Sequence, residues 1–64
     1  MSTFIIRAVD PDEDFAEGTV AVMHGVSRGE ALARGCEAIA DGFIDVRVEG
    51  PMGQTYRLID PAAA

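Results

Sequence analysis

Residues 26–43 read Val-Ser-Arg-Gly-Glu-Ala-Leu-Ala-Arg-Gly-Cys-Glu-Ala-Ile-Ala-Asp-Gly-Phe, one amphipathic helix with both ends marked. Its start has the form of a capping box. Ser27 can accept from the backbone N–H of Glu30, and Glu30 can reach back to the N–H of Ser27. Val26 and Ala31 stand where a hydrophobic staple would stand. At the far end Gly42 can take the left-handed conformation that stops a helix, with Phe43 folding back toward Ala38. Between the caps, Leu32, Gly35, Cys36, Ile39 and Ala40 fall on one face, and Glu30, Arg34, Glu37 and Asp41 on the other. Gly29 and Gly35 each weaken a helix by about 1 kcal/mol relative to Ala. Gly35 lies on the apolar side, which suits close approach to a sheet. No other segment reads as helix, so this one must cover whatever sheet the remainder builds.

The flanking segments read as strands. Residues 3–9 are rich in β-branched and aromatic side chains, with Phe4, Ile6 and Ala8 on one side and Ile5, Arg7 and Val9 on the other. Residues 10–18 carry Pro11, three aspartates and Gly18, and are expected to form an irregular loop. Residues 19–24 read as a second strand, with Val20 and Val22 on one face and Ala21 and Met23 on the other. After the helix, residues 43–49 alternate: Ile44, Val46 and Val48 against Asp45, Arg47 and Glu49. Gly50, Pro51, Met52 and Gly53 make a tight turn, and residues 54–60 return as the last strand. A three-residue loop, Pro51-Met52-Gly53, sets Val48 against Tyr56 and Val46 against Leu58, with Gly53 left-handed. It also sets Arg47 opposite Arg57, tolerable where Asp45 and Glu49 flank them. Pro61 is expected to end the strand, with Ala62 to Ala64 a frayed tail.

Strand, strand, helix, strand, strand gives an α+β class: ββαββ, a single antiparallel sheet with one helix packed on one face. The chain is read as one small domain, residues 1–64, ordered over roughly 3–60. The central contact is Leu32, Cys36 and Ile39 leaning on Ile44, Val46, Val48, Tyr56 and Leu58. A chain of 64 residues buries little apolar surface against the entropy of ordering it. Its single cysteine excludes an internal disulfide. Association with a second copy is the remaining common remedy, so a homodimer is expected. The face of the sheet away from the helix would carry Ile5, Val9, Ala21, Met23 and Ile59 among charges. Ile5, Val9, Met23 and Ile59 are the expected dimer contact, by sheet faces or by edge strands.

Acids outnumber basic residues 11 to 5, for a formal charge of −6. That argues against nucleic acid, which needs clustered positive charge. It permits a basic protein partner. No apolar run is long enough for a bilayer, and no signal-peptide pattern is present, so a cytoplasmic protein is expected. Asp10, Asp12 and Asp14 alternate as the first ligands of a calcium loop do. Phe15 stands at the place of the turn glycine and Ala21 at that of the bidentate Glu, so a solvated acidic loop is expected, with a loose, weak calcium site over residues 10–17 as the alternative. Cys36 is expected to be a buried small hydrophobe. His24 lies about three turns from it, and no nucleophile–base pair is in sight. Arg47 and Arg57 could hold a carboxylate together, though local ion pairs are the simpler expectation. No catalytic residue, metal site or cofactor is expected.

The run Gly42-Phe43-x-x-Val46-x-Val48-x-x-Pro51-x-Gly53-x-x-Tyr56 resembles short bacterial domains of unknown function with an Ala-rich helix and a closing hairpin. That resemblance covers residues 26–59 and implies the ββαββ fold and no activity. A second likeness is to antitoxin domains of HicB type, which also run strand, acidic turn, strand and then a Glu-Ala-Leu helix, here Glu30-Ala31-Leu32. Those domains place a further strand before the helix, which this chain lacks. The expected function is a small non-catalytic module for protein interaction or oligomerisation. The alternative is an acidic antagonist, antitoxin-like, that masks a basic partner.

Overall fold

A computed structural model describes residues 2–59. Four strands and one helix follow the expected order: β1 (Thr3–Asp10), β2 (Ala16–His24), α1 (Arg28–Ala40), β3 (Ile44–Glu49) and β4 (Thr55–Arg57), with a short 3-10 turn (Pro11–Glu13) between β1 and β2. The strands form one antiparallel sheet in the order β2-β1-β3-β4, and α1 packs on one face of it, against β3 and β1. Among the described residues no helix is long and apolar enough to cross a membrane. The expected end of the last strand at Pro61 and the tail at Ala62 to Ala64 lie outside the described residues.

The core is the alternation of two central strands closed by the helix. Phe4, Ile6 and Ala8 of β1 and Val46 and Val48 of β3 are buried, and Ala31 and Ala38 of α1 cover them. The C-terminal end of the helix forms as read and the N-terminal end in part. The Glu30 N–H donates to Ser27 Oγ at 3.2 Å. The return contact differs: Ser27 Oγ donates to Glu30 Oε1 at 3.3 Å, so the Glu carboxylate meets the hydroxyl. At the C-terminus Gly42 N–H donates to Ile39 O at 3.0 Å and Phe43 N–H to Ala38 O at 3.1 Å, with Gly42 at φ +104°. These two bonds are a Schellman closure, and they lay Phe43 against the core.

The helix face differs from the expected one. The buried residues are Ala31, Gly35 and Ala38; Leu32 and Ile39 are half-buried on one flank, and Cys36 and Ala40 are exposed. The contact stripe is rotated by about one residue, roughly 100°, from the line of bulky side chains. The cause is proximity. A Cβ placed on Gly35 would run into Leu58 Cδ1 and stand 3.1 Å from Val48 Cγ2. The smallest residues face the sheet so that the helix can lie close, and the larger ones wedge in from the side.

The closing hairpin has the expected register. Val48 pairs with Tyr56, Arg47 with Arg57, and Leu58 N–H donates to Val46 O at 2.9 Å. Gly53 sits at φ +83°, and its N–H closes the turn on Gly50 O at 3.3 Å. β4 ends at Arg57, shorter than the expected 54–60.

The first hairpin is longer than expected. Ala16, Glu17 and Gly18 pair with Asp10, Val9 and Ala8, so only residues 11–15 are turn. The reversal is made by Asp14 and Phe15, both left-handed at φ +60° and +57°, and not by Gly18, which lies in the strand. Asp10 caps the 3-10 turn, accepting from Asp12 N–H at 2.9 Å.

Candidate interaction surface

Two irregularities decide which side chains reach the helix-free face of the sheet. In β2 the pairing steps from Ile6↔Ala21 to Arg7↔Thr19, which leaves Val20 as the extra residue of a bulge. In β3 it steps from Arg7↔Arg47 to Val9↔Ile44, so that two residues, Asp45 and Val46, stand against Ala8, with Asp45 at φ +53°. Each bulge reverses the alternation beyond it. Ala21 and Met23 therefore lie opposite Ile6 and Phe4 and pack on the core with Val20, while Val22 turns to the open face beside Ile5. Ile44 likewise leaves the core, pairs with Val9 and is 43% exposed.

This corrects the expected dimer residues. Ile5 and Val9 are on the helix-free face as read. Met23 is on the helix side, packed against the core, and does not share their face. Ile59 lies past the end of β4 and is almost fully exposed. Val22 takes the place on the face that unbroken alternation gives to Ala21 and Met23, and Ile44 the place it gives to Asp45. Asp45 was the readable hint, since Asp accepts the left-handed conformation more readily than most residues.

In register, the open face carries four rows, the outermost being Thr3 opposite His24. Across the middle run Thr19, Arg7, Arg47 and Arg57, each opposite the next. To one side run Val22, Ile5, Glu49 and Thr55; to the other, Glu17, Val9 and Ile44. Three of the five arginines thus form one line in an acidic protein. The acids on either side pair diagonally with it: Glu49 with Arg7 at 3.9 Å, and Glu17 with Arg47. Arg47 is the most enclosed, its side chain 20% exposed, and its Nε has no hydrogen-bond partner. Local ion pairs occupy Arg7 and Arg47; the apolar residues stand in the rows to either side of the line.

The acidic turn is also engaged locally, with Asp10 as a cap and Glu17 on Arg47. Among the described residues no three His, Cys, Asp or Glu side chains come together to hold a metal. A depression of about 300 Å³ opens beside this turn, between Asp10, Glu13, Glu17, Val20 and Phe43. Cys36, expected to be buried, is exposed on the outer side of α1. His24 ends β2 and shares a hydrogen bond with Thr3 Oγ1 at 3.1 Å. The two edges of the sheet are unlike each other: β4 has three residues and β2 has nine.

No protein family, no curated protein and no solved structure matches this chain.

Proposed function

We propose that this chain is a non-catalytic module that acts through contacts with other protein chains, its first partner being a second copy of itself. The observation that carries this reading is the thinness of its core. Among the described residues the buried hydrophobics are seven, three of them alanines, and Ile6, Val46 and Val48 are the largest that are fully enclosed. One helix shields one face of the sheet, while Val22 and Ile44 remain substantially exposed on the other. A fold of this size gains most from a partner that takes such surface out of water. The separation of His24, at the end of a strand, from Cys36, on the outside of the helix, supports a non-catalytic role. The single unpaired cysteine fits a reducing compartment, and the cytoplasm is the proposed setting.

Thermal unfolding across about two decades of protein concentration tests the reading, because a dimer is stabilised by mass action. The expected result is a Tm that climbs with concentration, beside a native mass above the 6.8 kDa of one chain. A constant Tm and a single-chain mass throughout would exclude it.

A second reading, the acidic antagonist of a basic protein, is favoured by one feature. Phe15 stands 65% exposed at the tip of the turn that carries Asp12, Glu13 and Asp14. An exposed aromatic ring that follows three acids in the chain suits a cationic surface. Binding of this kind weakens steeply as salt is raised, whereas an apolar self-contact does not.

A further inference from the structure

We propose that two copies join along β2, antiparallel about a two-fold axis at Val22, into one continuous eight-stranded sheet with both helices on the same side. This rests on the self-association reading and adds the surface that performs it. The two edges of the sheet differ in how they are protected. β4 is three residues long and ends in Arg57, and short, charged edges resist pairing. β2 is nine residues long and has no Pro, and its one charged residue, Glu17, lies before the bulge at Val20. Its Gly18 begins a stretch of ten residues, 18–27, without Asp, Glu or Arg, the longest such stretch in a chain of net charge −6. Two acidic copies approach each other with least repulsion there.

The bulge at Val20 divides the edge, and residues 21–24 beyond it pair regularly with β1. That regular segment fixes the register. With the axis at Val22, the valine meets its own copy on the helix-free face, where it is 51% exposed in the single chain. Ala21 then meets Met23 of the other copy, twice, on the helix side, where both are half-buried. Apolar side chains face apolar ones on both faces. The next pair, Val20 with His24, falls at the bulge and ends the ladder. An axis at Ala21 would set Val22 of the open face against Val20 of the helix side, and one at Met23 would set Val22 against His24 and Ala21 against Gly25, beyond the strand. The extra ladder runs over residues 20–24 of each copy, where it satisfies the outward N–H and C=O groups of the strand end, and it sets no like charges across the seam.

Cross-linking reads the axis directly. Opposed residues of an antiparallel pair have Cα atoms roughly 4.5 or 5.5 Å apart, inside the roughly 4.4–6.8 Å span of a disulfide. Val22→Cys in a Cys36→Ser background is expected to oxidise rapidly to a covalent species of twice the chain mass. Met52→Cys in the same background, at the exposed tip of the far hairpin, is expected to stay single. Val22→Lys sets two ammonium groups together and is expected to raise the dimer dissociation constant at least about tenfold. Equal cross-linking at the two cysteine positions would overturn the proposal. So would a dimer that withstands Val22→Lys, or one that instead dissociates with Ile44→Lys, which would move the contact to the open face. In those cases self-association stands and the edge is wrong; a single-chain mass for the unaltered protein at every concentration removes both.

Discussion

Glycine acts in opposite senses at two places on the one helix. Gly29 is exposed, with Ser27 Oγ at 3.9 Å as the nearest atom to an added methyl group. Gly35 is pressed against Val48 and Leu58. Gly29→Ala is expected to raise stability by about 1 kcal/mol through helix propensity. Gly35→Ala gains the same term but overpacks a contact whose deeper wall, Val48, is fully enclosed. Overpacking costs about 1–3 kcal/mol, so a net loss of roughly 1 kcal/mol is expected. Urea unfolding of the pair checks both signs at once. The line of arginines gives a second expectation. Arg47 and Arg57 are directly opposed, and like charges so placed are destabilising. Arg57→Thr should therefore stabilise by about 0.5 kcal/mol at low salt, with the gain shrinking as salt screens the pair. The opposition was legible in the sequence once the hairpin loop was assigned. The third member, Arg7, was not, because it needs the pairing of β1 with β3.

Elements with a local cause were legible; those set by a neighbour were not. The caps of α1 rest on Ser27, Gly42 and Phe43, close in sequence, and they form where the residues stand. The β3–β4 turn rests on Gly53 and on keeping Val48 and Val46 against apolar partners, and it too forms as read. The rotation of the helix face was hidden because side-chain bulk dominates a periodicity, while the sheet selects small residues for closeness. The bulge at Val20 was hidden because an alternating pattern carries no mark of an extra residue, and the one in β3 was marked by Asp45 alone. Val22 and Ile44 reach the open face only through them. The left-handed residues can be tested by exchange. Gly53→Ala places a methyl group at φ +83° and is expected to cost about 1–2 kcal/mol. Asp45→Gly relieves φ +53° and is expected to gain about 0.5–1 kcal/mol. Thermal unfolding at one fixed protein concentration reads both, and equal effects of the same sign would refute the assignment of the bulge.

At the scale of the whole molecule, a half-covered sheet meets an acidic exterior. Class, element order and layering followed from the chain's own patterns; strand order did not, since nothing local tells β1 to sit between β2 and β3. That order makes β2 an edge and so gives the uncharged stretch 18–27 a consequence. Amide hydrogen exchange, followed residue by residue at low and high protein concentration, tests this most directly. The outward-pointing amides of residues 21–24 are predicted to exchange more slowly as concentration rises, while those of Thr55–Arg57 keep one rate. Exchange in residues 21–24 that ignores concentration would contradict a chain completed by its own copy along β2.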